Sequence, residues 1–158
     1  MYIVVVLLQT VILPMISGAL QLAVSGGDPA IVLGVWWAFW GVGTRLFVAG
    51  VSQLVNPGRT AQGILGIDDS SAELVVHELG YANLSMGLVA MLSAFAGSWG
   101  VLGSIPGAVF LGLAGLRHVA RRGKNRDEVV ATWTDLLVFV VVSAGAVMTF
   151  AHSAHLGW

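Results

Sequence analysis

The sequence predicts an all-α membrane protein, a single polytopic bundle of five transmembrane helices, and three observations predict this fold class. The chain has 158 residues, of which 57% are hydrophobic and only 9% are charged, whereas soluble domains carry about 25% charged residues. Apolar runs of about 20 residues, long enough to span hydrocarbon as helices, recur along the chain. The strict alternation over about 10 residues that is typical of a transmembrane β-strand does not persist. We expect one transmembrane domain over residues 1–158, with spans at 2–24, 29–55, 72–97, 104–121 and 129–151.

The composition excludes several classes of function. The chain contains no cysteine, which removes disulfides, thiolate metal sites, iron–sulfur clusters and thiol redox catalysis. No phosphate-binding loop, nucleophile elbow or nucleic-acid motif is present. The net charge of −1 gives no reason to expect a nucleic-acid partner. The sequence therefore favours a protein without catalytic activity but does not decide whether it is an enzyme.

The first two spans carry recognisable start and kink signals. Residues 1–24 lack the basic start of a signal peptide and stay apolar for longer than a cleaved one, which favours a retained helix over a removed leader. Pro14 predicts a kink within this span, because proline removes one backbone hydrogen bond. Asp28 followed by Pro29 predicts a capped start for the second span. Three indoles of that span are expected to anchor at the membrane interface or pack between helices: Trp36, Trp37 and Trp40.

The longest hydrophilic connection follows the second span and contains two further helix starts. Asn56 and Pro57 predict a short helix along the membrane surface over residues 57–65. Ser70, with Glu73 three residues later, fits a capping box for the third span.

The basic residues predict the orientation of the chain in the membrane. Five of the seven lie at the end of the fourth predicted span and in the connection to the fifth, and the positive-inside rule makes that connection cytoplasmic. Counting back along the spans places the N-terminus in the cytoplasm and the C-terminus outside. We therefore expect a multi-pass membrane protein in contact with the lipid bilayer. The five basic residues are Arg117, Arg121, Arg122, Lys124 and Arg126.

Polar side chains from four spans are predicted to lie in the cytoplasmic half of the bundle. The stretch 73–99, which contains the third span, carries three of them, and we expect the other helices to surround it. Ionisable and amide groups are costly in hydrocarbon, so these side chains should face one another or a wet cavity. The predicted ligand-binding or polar-network residues are Arg45, Gln53, Glu78, Tyr81, Asn83, His118 and Asp135.

Two interpretations of this cluster stay open. In the structural one, Arg45 and Arg117 neutralise Glu78 and Asp135, while the amides bond across helices. In the functional one, the same groups line an apolar slot for a lipophilic or quinone-like small molecule, or carry a proton. Glu78→Gln would then preserve folding and change ligand occupancy or activity.

Several segments share a pattern with known membrane proteins. They are Arg45-x-x-x-Ala49-Gly50-x-x-Gln53-x-x-x-Pro57, Glu78-Leu79-Gly80-Tyr81-Ala82-Asn83-Leu84-x-x-Gly87, Gly112-x-x-Gly115-x-x-His118, Asn125 and Thr134-Asp135. Together they resemble the DoxX-like family of small, uncharacterised bacterial integral membrane proteins over about residues 36–140. The resemblance implies a four-helix inner-membrane core, to which this chain adds an N-terminal helix, and it implies no settled activity.

The resemblance also bears on cofactors and on redox function. Some DoxX-like proteins are subunits of quinone-linked redox complexes, which is an analogy of fold rather than of site. Many relatives have histidine where this chain has Gln53, which weakens any haem or metal site built from that position and His118. Haem could still be held by His77 and His118, near two cytoplasmic helix ends. A metal could be held by Glu78, His118 and Asp135. We expect neither group, because helix-end histidines more often pack at an interface and because the metal ligands would come from three helices with no pair at helical spacing.

The sequence as a whole predicts a small accessory or ligand-binding subunit of the membrane, without catalysis of its own. Its partners would be lipid, other membrane subunits or a second copy of itself, and a lipophilic small molecule. The alternative is a quinone-linked redox or small-molecule transport component. No internal inverted repeat supports a transporter.

Overall fold

Six helices make up the part of the chain that the computed structural model describes, which is residues 2–62, 69–97, 99–123 and 126–155. Two of them contain a π-helical segment, and a short 3₁₀ turn, Leu102–Ser104, precedes α5. The helices are α1 (Tyr2–Leu7, π-helical Leu8–Ile12 and Leu13–Ser25), α2 (Pro29–Trp37, π-helical Ala38–Thr44 and Arg45–Val55), α3 (Pro57–Ala61), α4 (Ser71–Ser93), α5 (Ile105–Ala120) and α6 (Arg126–His155).

Five of these helices are long and apolar enough to cross a membrane, namely α1, α2, α4, α5 and α6. The predicted all-α fold with five spans is therefore confirmed, and the chain is a small multi-pass membrane protein. The boundaries differ by a few residues. The third span ends at Ser93 rather than at residue 97, and the last runs on to His155 rather than ending at residue 151.

Two of the predicted helix starts are confirmed by their hydrogen bonds. Asp28 Oδ1 accepts from the backbone N–H groups of Ala30, at 2.8 Å, and Ile31, at 3.3 Å. Asn56 Oδ1 accepts from the backbone N–H of Arg59 at 3.2 Å and so begins α3. The surface helix ends at Ala61, and the predicted continuation over residues 63–65 lies outside the described residues.

The predicted capping box at the start of α4 is wrong. Ser70 has helical backbone angles and its side chain caps nothing, whereas an N-cap residue is usually extended. Asp69 takes over the role, because its Oδ1 accepts from the backbone N–H of Ser71 at 2.8 Å. Hydrogen bonds from Ser71 hold the pKa of Asp69 below its ordinary value. Glu73 lies instead beside α3, where a Cβ on Gly58 would meet its Oε1 at 3.1 Å.

A π-helical segment, Leu8–Ile12, lies directly before Pro14, the residue at which the sequence predicts a kink. A proline ring collides with the carbonyl four residues earlier, here that of Thr10, and a wider turn relieves that contact. The π-helical segment of α2 lies beside it. Gln9 Nε2 donates to Thr44 Oγ1 across the two segments at 3.2 Å.

The central helix of the bundle is α2, whereas the sequence led us to expect the third span. In α2, 44% of the most apolar stretch is buried inside the bundle, against 28% in α4. The reason lies in the glycines, which let neighbouring backbones approach α2 on more than one side.

The contact between α2 and α4 brings backbone against backbone. Gly43 and Gly50 on α2 face Gly87 and Gly80 on the antiparallel α4, so each helix carries two glycines seven residues apart. A Cβ on Gly87 would lie 2.5 Å from the backbone nitrogen of Phe47, and one on Gly50 would lie 2.7 Å from Gly80 O. At Gly87 and Gly50 no side chain larger than hydrogen fits without separating the helices, because the nearest atoms belong to the backbone.

A different face of α2 packs equally closely against α6. A Cβ on Gly34 would lie 2.8 Å from the Cα of Gly145, and one on Gly41 would lie 2.9 Å from a methyl group of Val138. Gly34, Gly41 and Arg45 all meet α6, and they follow one another along α2 at spacings of seven and four residues. This packing carries Arg45 against α6.

The tryptophans of α2 pack between helices, which was one of the two predicted roles. Trp37 is 5% exposed and lies in the hydrophobic core. Trp36 Nε1 donates to Gln21 Oε1 at 2.7 Å, and Trp40 Nε1 donates to Ser17 Oγ at 3.1 Å. Both bonds fix α1 against α2.

Candidate functional site

The most deeply buried ionic group of the bundle is an ion pair between α2 and α6. Arg45 Nη2 pairs with Asp135 Oδ1, and the two side chains are 11% and 5% exposed. Arg45 Nη1 also donates to Thr134 Oγ1 at 3.1 Å. The hydroxyl of Thr134 in turn donates to the carbonyl of Val130 at 2.8 Å. Arg45 therefore meets Asp135, one of the two carboxylates that the structural interpretation offered it, and Thr134 joins them although the predicted set of site residues omitted it.

The helix α5 completes the surroundings of Asp135. A Cβ on Gly115 would lie 3.2 Å from the Cβ of Asp135, so glycine is what allows α5 to reach this level of α6. His118, three residues further along α5, lies within electrostatic range of the same carboxylate. Three of the seven predicted site residues, Arg45, His118 and Asp135, therefore come together around one buried carboxylate.

A second polar contact joins α2 to α4. Asn83 Nδ2 donates to Gln53 Oε1 at 2.9 Å, as the structural interpretation predicted. Asn83 is 3% exposed, and its Oδ1 has no hydrogen-bond partner among the described residues. Gly80 makes room for the pair, because a Cβ there would lie 3.2 Å from the Cβ of Gln53.

The remaining two predicted site residues, Glu78 and Tyr81, point away from the bundle. Glu78 is exposed, and Tyr81 is 59% exposed. On a helix of 3.6 residues per turn, Glu78 and Asn83 are about 140° apart, so one of them faces out when the other faces in. The depth of a residue along its helix, from which these site residues were predicted, does not determine the direction in which its side chain points. The expectation that Arg45 or Arg117 neutralises Glu78 is therefore wrong.

The grooves of the molecule lie away from the predicted site. One, of about 650 Å³, is lined by residues 55–59, Gln62 and Glu73 where α2, α3 and α4 meet. Another, of about 370 Å³, is almost entirely apolar and follows the outward side of α2 between Phe47 and Val55. None of the seven predicted site residues lines either groove.

With this geometry established, the comparison with known families gives one match. A family of unknown function, DUF6790, matches the chain over residues 1–155. The chain belongs to the DUF6790 family. No curated protein and no solved structure matches it. The matched region contains all five spanning helices of this DUF6790 protein and all seven predicted site residues. The resemblance to DoxX-like proteins stays a prediction, and Asn125, one of its residues, lies outside the described part.

For this DUF6790 protein, the structure bears on the metal hypothesis but does not test the haem hypothesis. Among the described residues, no three histidine, aspartate or glutamate side chains are close enough to hold a metal ion. The hypothetical set of Glu78, His118 and Asp135 is not assembled, because Glu78 faces outward while Asp135 is buried. Haem binding through His77 and His118 stays a hypothesis. The buried polar groups bind one another. The guanidinium of Arg45 forms an ion pair with the carboxylate of Asp135 and donates a hydrogen bond to the hydroxyl of Thr134.

Proposed function

We propose that this protein is a non-catalytic accessory subunit of the membrane, which associates with another membrane protein through the outward face of α4. The observation that carries the proposal is the exposed Glu78 beside the exposed Tyr81 on a helix that is apolar enough to span the bilayer. Ionisable groups within spanning segments usually face protein or a wet cavity. Within the described residues no ion pair or hydrogen bond reaches Glu78, so a partner is the source of polar contacts that we propose.

The depth of Glu78 makes lipid alone a poor environment for it. Glu78 lies seven residues beyond the start of α4 at Ser71, which is about 10 Å along the helix axis. On insertion scales an acidic residue costs roughly 2.5–3.5 kcal/mol at the centre of a spanning helix, and Glu78, closer to the end, faces a smaller part of that cost. A neighbouring helix with a cation or a hydrogen-bond donor would remove most of that cost.

The buried polar groups support a scaffold rather than a reaction centre. Arg45, Thr134 and Asp135 bind one another. The connections between the described spans are short, so an accessory subunit would act within the bilayer.

The proposal includes an orientation in a bacterial inner membrane. The α5–α6 connection would be cytoplasmic because its described part carries Arg121 and Arg122 between Arg117 on α5 and Arg126 on α6. The N-terminus would then be cytoplasmic and the C-terminus external. Glu78 and Arg117 would both lie in the cytoplasmic half of the bundle.

A second candidate function, binding of a lipophilic or quinone-like small molecule for redox or transport, is favoured by one specific observation. Asn83 is almost fully buried, yet its Oδ1 has no hydrogen-bond partner among the described residues. A buried acceptor of this kind could orient a ligand that carries a hydroxyl group. The site would lie at the Asn83–Gln53 contact rather than at Glu78.

Native mass spectrometry of the protein in a mild detergent tests the two candidates against each other. We expect the wild type to carry additional whole polypeptide subunits, and Glu78→Leu to lose them while staying folded by circular dichroism. Asn83→Leu should leave the subunit composition unchanged and serves as the matched control on the inward face of α4. A single chain that carries only a small molecule, lost in Asn83→Leu, would overturn the subunit proposal and favour the ligand site.

A further inference from the structure

We propose that the partner is a second copy of this chain, joined across α4 and α5 by two symmetric ion pairs between Glu78 of one copy and Arg117 of the other. This inference rests on the proposed function, since it names the partner of the same surface. Its basis is charge complementarity between two outward side chains that the bundle leaves unpaired.

The outward face of α4 has the spacing of a helix-packing seam. Six of its exposed residues follow one another at alternating intervals of four and three, the pattern by which helices pack along their length, and Val75, Ala82 and Val89 are exposed beside them. A purely lipid-facing helix needs only apolar residues, whereas the middle of this seam is polar. The seam consists of Leu74, Glu78, Tyr81, Ser85, Leu88 and Leu92.

The neighbouring helix α5 presents the opposite charge. Arg117 is exposed and shares the outward face of α5 with Val109 and Leu113, at spacings of four residues. Neither Glu78 nor Arg117 takes part in an ion pair within the described part of the molecule, where the pairs are Arg45–Asp135 and Arg121–Glu128. An exposed acid and an exposed base therefore lie on adjacent helices of the same bundle.

The two side chains lie at the same side of the membrane. Glu78 is about 10 Å from the start of α4, and Arg117 is about 5 Å from the end of α5 at Ala120. Because consecutive spans run in opposite directions, the start of α4 and the end of α5 lie on one side. The long arginine side chain can cover the remaining difference in depth, as arginines near helix ends commonly do.

Two-fold symmetry favours a contact that includes both α4 and α5 of each copy. Copies of one chain insert the same way up, so two of them can be related by a two-fold axis along the membrane normal. Rotation about such an axis leaves the depth of every residue unchanged. Glu78 of each copy can then pair with Arg117 of the other copy. Contact of α4 with α4 alone would instead oppose two Glu78 carboxylates, and like charges in contact repel.

A charge-swap experiment in lipid bilayers tests this inference. The dimer fraction of the full chain is measured by single-molecule photobleaching in liposomes at increasing protein density. Glu78→Arg and Arg117→Glu should each weaken dimerisation by about tenfold or more, because each places like charges together in an apolar medium. The double variant Glu78→Arg/Arg117→Glu should return to within about threefold of the wild type, since both pairs re-form with reversed polarity. Arg122→Glu, an exposed charge in the connection after α5, is the matched control and should change nothing.

Cysteine cross-linking provides a second readout, in which a mixed dimer keeps one of its two ion pairs. The chain has no native cysteine, so Glu78→Cys and Arg117→Cys variants with different tags can be mixed and treated with a short bifunctional thiol reagent. A product that carries both tags supports the inference. A wild type that is monomeric at every density, or a double variant no better than the single ones, overturns it. If the wild type instead binds a different protein through Glu78, the second copy is ruled out while the subunit role stands. Wild type that binds no polypeptide at all contradicts both.

Discussion

At the scale of single residues, the Arg45–Asp135 pair illustrates why buried ions in a membrane must occur together. Both side chains are nearly excluded from the surface, and the pair is completed by the hydroxyl of Thr134. Taking two charges out of water is costly, and their mutual attraction offsets that cost only when the geometry is good. The pair therefore restricts α2 and α6 to one register.

Removing one member of this pair should be more damaging than removing both. We expect Arg45→Ala to lower the free energy of unfolding by about 3–5 kcal/mol, because Asp135 is left buried and unpaired. Arg45→Met combined with Asp135→Leu should recover most of that loss. The free energy of unfolding in mixed detergent micelles, arranged as a double-mutant cycle, measures the coupling. Arg59→Ala, on the exposed surface of α3, should stay within about 0.5 kcal/mol of the wild type. An Arg45→Ala loss no larger than that of Arg59→Ala would contradict a structural role for the pair.

At the scale of helices, the position of α2 depends on glycines that are seven residues apart on two of its faces. One face meets Gly80 and Gly87 of α4, and the other meets Gly145 of α6. Without a hydrophobic driving force between helices in lipid, close backbone contact and interhelical hydrogen bonds hold such a bundle together. The Asn83–Gln53 bond, worth about 0.6 kcal/mol on average for its kind, is a smaller contribution than the packing that brings it about.

A single methyl group at the α2–α4 contact tests this packing. We expect Gly87→Ala to destabilise the bundle by about 1–3 kcal/mol, because the new Cβ would meet the rigid backbone of Phe47 at 2.5 Å. Gly18→Ala is the matched control in α1. Its Cβ would meet Leu33 Cδ2 at 2.7 Å, the far end of a flexible side chain that can turn away. Thermal unfolding in detergent should show a clearly lower midpoint for Gly87→Ala alone. Equal midpoints for the two variants would show that α2 and α4 are not held at backbone contact.

At the scale of the whole molecule, the distribution of charge sets the proposed topology. The absence of cysteine makes it directly measurable with single-cysteine variants and a membrane-impermeant thiol reagent. We expect Arg122→Cys to react only after the cells are opened, and Gly27→Cys, in the connection between α1 and α2, to react in intact cells. Labelling of Arg122→Cys in intact cells would show that the orientation is the opposite one, with Glu78 and Arg117 in the outer half of the bundle.

Within the whole molecule, residues were predictable from the sequence where a local pattern decides their role. Asp28 before Pro29 and Asn56 before Pro57 begin helices because a cap needs only the backbone amides next to it. Glu78 and Tyr81 were misplaced for the opposite reason. Depth along a helix follows from residue number alone, whereas the direction a side chain faces depends on which side of α4 meets α2.

The sequence by itself determined that this chain spans a membrane five times, because apolar length and the scarcity of charge act on each segment separately. The sequence also indicated that buried acidic and basic residues would pair within the bundle, since a buried charge must be matched. Only the tertiary structure decided that α2 is the central helix, that Asp135 rather than Glu78 meets Arg45, and that Glu78 faces outward. These outcomes depend on helix rotation and on glycine contacts between segments far apart in the chain, which a linear pattern of hydropathy does not record.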